Sequence, residues 1–208
     1  QIHGVHIGQL KKAYKMLKSA KKPLILAGGG VNISHAGEKL KKFMEKENVP
    51  VVTTIMGKGA VPTTHPLYIG NCGMHGKYAA NMAVMECDLL FSIGTRFNDR
   101  ITGDLNEFAP HAQIVHIDVD TASISRNVVV DVPVVADAGV ALEKLLEWAE
   151  KKDTAKWQEQ IHRWEKENPL AMRRDRGISP QMIMEHINAQ FPHLSLIHIS
   201  EPTRLALI

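Results

Sequence analysis

Residues 23–30 read PLILAGGG, a short apolar run that stops at three glycines. A run of this length without polar residues is typical of a strand buried on both faces of a sheet. Glycines at the end of such a strand let the backbone approach a phosphate group, which the N-terminus of a following helix would favour. They equally suit a plain tight turn, because the stretch is not the GxGxxG dinucleotide fingerprint.

The same pattern of a short apolar strand followed by an amphipathic helix repeats as far as residue 151. Further strands are predicted over 50–54, 89–93, 114–119 and 132–135, helices over 7–20, 35–47, 76–87 and 139–151, and a long connection through Pro62, Pro66, Gly70 and Gly73. Strands that alternate with helices indicate an α/β fold with a doubly wound, mostly parallel sheet and helices on both faces, as in Rossmann-like domains.

Two of the predicted helices have a definite inner face. Ser34 is expected to cap the helix over 35–47, and the buried residues are predicted to be Leu40, Phe43 and Met44. In the helix over 139–151, the residues predicted to face inward are Val140, Leu145, Leu146 and Ala149.

The pattern changes after residue 151. Trp157, Ile161 and Trp164 recur at helical spacing among many charges, and the whole of 152–178 is interpreted as a linker. Ser179-Pro180 then predicts a new helix, with serine as the cap and proline in the first position. Its apolar stripe is Ile183, Ile187 and Phe191. We expect apolar side chains near Trp157, Trp164 and Ile187 to be exposed.

Bulk properties exclude several classes of partner. The formal charge of +3 on 208 residues gives no reason to expect nucleic acid or an anionic membrane. No apolar run approaches the roughly 18 residues that a membrane span needs.

Cys72 and Cys87 form no CxxC motif, so both are expected to be buried thiols in a reducing compartment. The eleven histidines show no zinc-ligand spacing, and no metal site is predicted.

In a doubly wound sheet, ligands bind beyond the carboxyl ends of the strands. The candidate loops are those at Gly28, Thr54, Gly94, Asp118 and Asp137. Together they predict a nucleotide-type ligand and no catalytic constellation.

Four side chains in these loops have competing interpretations. Arg96 and Arg100 could neutralise a pyrophosphate, or they could pair on the surface with Asp99 or Asp104. Asp118, with Asp120 beyond it, could accept from ribose hydroxyls or could cap a turn near Thr121. His75, flanked by glycines, could donate to a ligand or could be a solvated residue.

A set of motifs in one order makes the sequence more specific. They are KPL at 22–24, AGGG at 27–30, PVVTT at 50–54, MGKG at 56–59, GMHG at 73–76, GTRFNDRITG at 94–103, FAP at 108–110 and HIDVD at 116–120. On these motifs, residues 1–193 resemble the large catalytic subunits of the acetolactate synthase (acetohydroxyacid synthase) family.

The resemblance implies an enzyme that uses thiamine diphosphate, magnesium and FAD. Such enzymes condense two 2-oxoacids, pyruvate or 2-oxobutyrate, with loss of carbon dioxide, in branched-chain amino-acid biosynthesis. It implies a bacterial cytoplasmic location, a homodimer or tetramer, and a small regulatory subunit as partner. It also implies three domains, of which the middle one holds FAD.

The resemblance carries site residues to this chain. The implied flavin contacts are Gly28, Gly30, Thr54, Ile55, His75, Gly94, Thr95, Arg96, Arg100, Asp118, Val119 and Asp137. Met74 and Arg100 are implied to face the substrate channel. No catalytic residue and no metal ligand is expected in this stretch. Thr95 and Asn98 depart from the family, which often has alanine and aspartate there.

The resemblance also predicts how the chain is organised. Residues 1–151 are expected to be the FAD-binding middle domain, 152–178 a linker, and 179–193 the start of the thiamine-diphosphate domain. Residues 194–208 depart from the family and are expected to be a non-native tail. The glutamate that activates thiamine and the GDG-type metal motif lie in domains outside this sequence, so the chain alone is expected to be inactive.

Three other functions remain open from sequence. The chain could be the middle domain of another thiamine-dependent enzyme, such as glyoxylate carboligase or pyruvate oxidase. It could also be a nucleotide-binding module without catalysis, taking NAD or ADP, or have a purely structural role.

Overall fold

A computed structural model describes residues 4–105, 107–169 and 177–191. The chain divides between Asn168 and Pro169 into two compact units. The predicted tail at 194–208 and the end of the predicted linker at 170–176 lie outside the described residues.

The first unit is built from alternating strands and helices. Its strands are β1 Pro23–Ala27, β2 Val51–Thr53, β3 Tyr68–Asn71, β4 Leu89–Ile93, β5 Gln113–Asp118 and β6 Val132–Val135. Its helices are α1 Ile7–Ser19, α2 Gly29–Ile33, α3 Gly37–Glu47, α4 Tyr78–Glu86, α5 Asp99–Thr102, α6 Ala138–Trp148 and α7 Ala155–Glu167, with a 3₁₀ turn at Ile55–Gly57.

The six strands form one sheet in the order β3-β2-β1-β4-β5-β6, and every neighbouring pair is parallel. The predicted doubly wound α/β fold is therefore confirmed. The strand order reverses between β1 and β4, and such switch points are where ligands bind in sheets of this kind.

The sheet has a hydrophobic core on each face. Ile25 and Ala27 of β1 belong to the core with α1, α3 and α6, whereas Leu24 and Leu26 belong to the core with α4 and α7. All five residues of β1 are buried. This two-sided burial is the physical reason that the strand is continuously apolar.

Strand β3 was missing from the prediction, which treated this stretch as part of a long connection. Tyr68–Asn71 is short and pairs only with β2, and Gly70 sits in it with a φ of 141° beside a register shift between Val51 and Val52. A four-residue edge strand with an internal glycine lacks the apolar run that marked the other strands.

The predicted capping role of Ser34 is wrong. Residues 29–33 form the five-residue helix α2, and α3 begins only at Gly37, after Ala36, with no side-chain cap. The Ser34 hydroxyl instead donates to the Asp137 carboxylate. Leu40, Phe43 and Met44 are buried on α3 as predicted.

The inner face of α6 differs at one position from the prediction. Leu145 and Ala149 are buried and Leu146 packs against the same core. Val140, however, is 38% exposed. The inward stripe follows Ala138, Ala141, Leu142 and Leu145, and Val140 lies off that stripe.

Helix α7 is packed against the first unit. Trp157 and Ile161 are buried in the same core as α4, and the Trp157 indole N–H donates to the Pro23 carbonyl oxygen at 3.0 Å. The expectation that Trp157 would be exposed is wrong, because α7 packs beside α4 on the same face of the sheet. The first part of the predicted linker is thus a packed helix.

In the second unit, helix α8 spans Pro180–Gln190. As predicted, Ser179 caps it by accepting from the Met182 N–H, and proline occupies its first position. Across the described ranges of both units, no helix combines the length and the apolar character needed to cross a membrane.

Candidate functional site

A cleft of about 560 Å³ opens at the carboxyl ends of β1 to β4. We call it the strand-end cleft. Its lining residues are Gly29, Gly30, Ile33, Thr54, Ile55, Met56, Asn71, Cys72, Met74, His75, Gly94, Thr95, Arg96, Asn98, Arg100 and Ile101. Its volume lies in the range that small-molecule and cofactor sites occupy.

At the switch point, the loop after β1 lies directly against the loop after β4. Gly30 donates its N–H to the Gly94 carbonyl oxygen at 3.0 Å. A Cβ on Gly28 would lie 2.1 Å from the Gly94 oxygen, and a Cβ on Gly30 would lie 2.7 Å from the Gly94 Cα. The glycines are therefore required for this close approach, and they leave bare backbone at the floor of the cleft.

The tight-turn interpretation of the glycines is thus supported by the backbone. A helix does begin at these glycines, but it is α2, which has only five residues. The case for a phosphate therefore rests on the arginines across the cleft.

The loops after β3 and β4 are joined on the other side of the cleft. Met74 donates its N–H to the Arg100 carbonyl oxygen at 3.0 Å, and the Arg100 Nη1 lies 3.9 Å from the Met74 Sδ. The two residues implied to face a substrate channel are therefore in contact. Arg100 also lies 4.0 Å from the Asp99 carboxylate, but both side chains are mostly exposed, so this pair contributes little stability.

The loop after β2 supplies an apolar wall. Thr54 accepts from the Gly57 N–H at 3.1 Å and so begins the 3₁₀ turn. Ile55 and Met56 in that turn are 69% and 72% exposed, and Met74 opposite them is 64% exposed. His75 lines the cleft beside Met74. Exposed apolar side chains gathered around one cleft are typical of a surface that another molecule covers.

Four predicted contacts do not line the strand-end cleft. Gly28 packs against the Gly94 backbone, and the other three lie beyond the ends of β5 and β6. Asp118 accepts from the Asp120 N–H at 2.8 Å. Val119 is 54% exposed. Asp137 caps α6 by accepting from the Gly139 and Val140 N–H groups, in addition to its bond with Ser34. Hydrogen bonds from nearby N–H groups therefore occupy part of the accepting capacity of the Asp118 and Asp137 carboxylates.

Two titratable groups in and near the cleft have a shifted pKa. Burial raises the pKa of Cys72 to about 12, so this residue is a neutral thiol and no nucleophile. The Ser123 hydroxyl and the Ala122 N–H, with smaller contributions from Arg96 and Arg126, lower the pKa of Asp120. Within 4–105, 107–169 and 177–191, no group of three histidine, cysteine or acidic side chains could hold a metal ion.

Sequence reasoning missed several lining residues. Ile33, Met56, Asn71, Cys72 and Ile101 line the cleft without having been proposed. Asn71 and Cys72 were missed together with β3, on whose end they lie. The apolar residues had one available signal, because Ile33, Met56 and Ile101 stand close to glycines in loops where polar residues are the norm.

The fold and the cleft define a doubly wound α/β domain with an open cleft at its topological switch point. The model of the family described as "Thiamine pyrophosphate enzyme, central domain" matches residues 10–145. The chain belongs to this family.

Its relatives are large subunits of one enzyme. The chain is 44% identical over 204 residues to the probable acetolactate synthase large subunit of Methanococcus aeolicus, an alignment that covers 92% of this chain and 34% of that protein. It is 47% identical over 186 residues to that of Methanocaldococcus jannaschii, covering 88% and 32%. For acetolactate synthase isozyme 3 large subunit of Escherichia coli the identity is 39% over 188 residues, covering 86% and 33%. The chain spans about one third of the length of these relatives.

Proposed function

We propose that this chain is the FAD-binding middle portion of the large catalytic subunit of an acetolactate synthase. The relatives that align over 86% to 92% of the chain carry that name. The observation that carries the FAD assignment is the strand-end cleft, which exposed apolar side chains, two arginines and bare glycine backbone line together.

The residues present suit FAD. A flat flavin ring would cover the exposed side chains of Ile55, Met56 and Met74, which supply apolar contact area. The fork of the Arg96 guanidinium suits a diphosphate bridge. The proposed contacts within the cleft are Gly30, Thr54, Ile55, His75, Gly94, Thr95, Arg96 and Arg100. Gly28 beside Gly94 is also proposed, with Asp118, Val119 and Asp137 continuing along the strand ends toward the adenosine.

The proposed parent enzyme condenses two 2-oxoacids, pyruvate with pyruvate or 2-oxobutyrate, in branched-chain amino-acid biosynthesis. Thiamine diphosphate and magnesium would bind outside this chain. The thiamine diphosphate would supply the carbanion chemistry that this reaction needs. Within the chain, Met74 and Arg100 would border the substrate path, and the Arg100 guanidinium could hold a 2-oxoacid carboxylate through paired hydrogen bonds. A homodimer or tetramer, a small regulatory subunit and a cytoplasmic location complete the proposal.

A domain exchange tests the proposal. Residues 4–191 of this chain would replace the aligned third of the Methanocaldococcus jannaschii large subunit, and acetolactate formation from pyruvate would be measured with thiamine diphosphate, magnesium and FAD. We expect the chimera to form acetolactate and to retain flavin through gel filtration. We expect the isolated chain to form none, because the thiamine-binding domains are absent from it.

A matched graft keeps the test decisive. The equivalent third of the Escherichia coli isozyme 3 large subunit would be placed in the same host protein. If that graft is active and the chimera with this chain is folded but inactive, the acetolactate synthase assignment is wrong and the middle domain of another thiamine-dependent enzyme becomes the better explanation.

A further inference from the structure

The loop after β4 presents its side chains alternately inward and outward. Thr95 and Phe97 are 2% and 1% exposed, whereas Arg96 between them is exposed and lines the strand-end cleft. The loop also has two residues with positive φ, Gly94 at 62° and Phe97 at 46°. A non-glycine residue in this region is strained and persists only when its surroundings fix it.

His116 of β5 contacts this loop at two points. Its Nε2 lies 2.7 Å from the Thr95 carbonyl oxygen, and its ring meets the Phe97 ring edge-on with centroids 4.8 Å apart. Because a carbonyl oxygen can only accept, the Nε2 carries the proton. The side chain is fully buried, and its Nδ1 has no partner among the described residues. Burying a polar imidazole ring costs free energy unless the ring is hydrogen-bonded, so the bond to the Thr95 carbonyl offsets part of that cost.

Asn127, in the connection from β5 to β6, makes a further contact with the same loop. Its Nδ2 donates to the Phe97 carbonyl oxygen at 2.9 Å. The carbonyl groups of the residues on both sides of Arg96 are therefore each bound by a side chain from another part of the chain. Arg96 itself lies close enough to Asp120, in the same connection, to lower the pKa of that carboxyl.

We infer that His116 and Asn127 are positioning residues that fix the backbone on either side of Arg96, so that its guanidinium is pre-oriented toward a diphosphate in the strand-end cleft. The inference rests on the proposed function, in which this cleft takes a flavin dinucleotide. A guanidinium on a fixed backbone loses less conformational entropy on binding than one on a mobile loop. Neither residue contacts the ligand in this arrangement.

The test uses the whole chain and two sets of variants. Asn127→Ala removes one hydrogen bond to the loop. Asn168→Ala is its matched control, because the Asn168 amide also donates to a backbone carbonyl but lies at the C-terminal cap of α7. His116→Gln keeps an N–H near the position of Nε2, whereas His116→Phe keeps the ring and loses the donor. Should the His116 variants fail to fold, Asn127→Ala still decides.

Two readouts are measured. Titration with FAD should show binding weakened about threefold to tenfold by Asn127→Ala and by His116→Phe, the range expected for loss of one hydrogen bond. His116→Gln should restore part of the loss, and Asn168→Ala should change nothing. Without ligand, backbone amides over 95–101 should exchange hydrogen faster in Asn127→Ala than in the parent chain.

A double-mutant cycle separates positioning from general destabilisation. In an Arg96→Ala background, Asn127→Ala should no longer affect FAD affinity, because the side chain it positions is gone. An undiminished effect in that background would overturn the inference. If the parent chain binds neither FAD nor ADP, the proposed function fails. Hydrogen exchange alone then tests the positioning role: faster exchange at 95–101 in Asn127→Ala supports it, and unchanged exchange refutes it.

Discussion

The Met74 N–H donates to the Arg100 carbonyl oxygen at 3.0 Å, across 26 residues of sequence. This bond joins the loop after β3 to the loop after β4 and closes one side of the strand-end cleft. Both side chains then lie at its rim, with the guanidinium 3.9 Å from the thioether sulfur.

Gly73 makes this junction possible. It has a φ of 102°, and a Cβ there would lie 2.6 Å from the Arg100 carbonyl oxygen. We expect Gly73→Ala to lower the free energy of unfolding by about 2–4 kcal/mol through strain and clash combined, measured by urea unfolding. Gly103→Ala is the control, because its φ of 58° is also positive but nothing lies near its Cβ. Equal losses in the two variants would show that the junction itself contributes nothing.

Arg100→Lys should separate substrate binding from flavin binding in the active chimera. Lysine keeps the charge but loses the fork, so use of the second 2-oxoacid should weaken by on the order of 1–3 kcal/mol. Flavin should remain bound, because the proposal assigns the phosphates to Arg96. The measurement is steady-state kinetics with pyruvate and 2-oxobutyrate in competition, beside a flavin absorbance spectrum.

Unchanged rates and product ratios for Arg100→Lys would leave Arg100 as a surface partner of Asp99. Loss of flavin would mean that Arg100 and not Arg96 binds the diphosphate. Arg96→Lys, with the same chemical change in the same loop, should show the reverse pattern: weaker flavin binding and little change in product ratio.

Stability should depend on pH through His116. Burial lowers the pKa of His116 below its ordinary value of 6.5, and Asp118 and the Thr95 carbonyl only partly oppose this. Between the folded pKa and 6.5 the unfolded chain therefore binds more protons, so the free energy of unfolding falls as pH decreases through that window. His116→Gln should flatten this part of the profile, measured by urea unfolding at a series of pH values. A parallel decline in both proteins would contradict the prediction.

Helix α7 should be necessary for a stable first unit. Trp157→Ala removes a buried indole and its hydrogen bond to Pro23, and we expect a loss of about 3–5 kcal/mol. Trp164→Ala, whose ring is only half-buried, should lose clearly less. A chain ending at 168 should unfold cooperatively by circular dichroism, and one ending at 151 should be much less stable. Equal stability of the two truncated chains would show that α7 is dispensable.

The sequence predicted the strands that carry their own signal. Strands β1, β2 and β4 are short, mainly apolar runs because every residue in them is buried. Strand β5 is buried at all but its first residue, and β6 is buried at Val132 and Val134. Strand β3 was not predictable in that way, since it is an edge strand interrupted by Gly70. Ser34 was misassigned because a rule for helix caps cannot detect that five preceding residues form their own helix.

The site residues could be predicted from sequence only where they follow strands that have a clear apolar pattern. Gly30, Thr54, Gly94, Thr95, Arg96 and Arg100 come directly after such strands and all line the strand-end cleft. Of the two roles that the sequence left open for Asp118, the hydrogen bond that it accepts from the Asp120 N–H favours local capping, whereas the capping of α6 by Asp137 was not predicted. His116 and Asn127 act on another loop through tertiary contacts, and no local pattern marks them.

The most direct measurement is an equilibrium titration of the whole chain with FAD by isothermal calorimetry, with ADP as competitor. A dinucleotide site at the strand-end cleft predicts one-to-one binding that ADP competes, that weakens with added salt, and that falls at least about tenfold in Arg96→Ala, as expected for loss of a charged hydrogen bond. Arg163→Ala, an exposed arginine on α7, should bind like the parent. Absence of binding by a folded chain, or equal binding by Arg96→Ala and Arg163→Ala, would contradict the assignment.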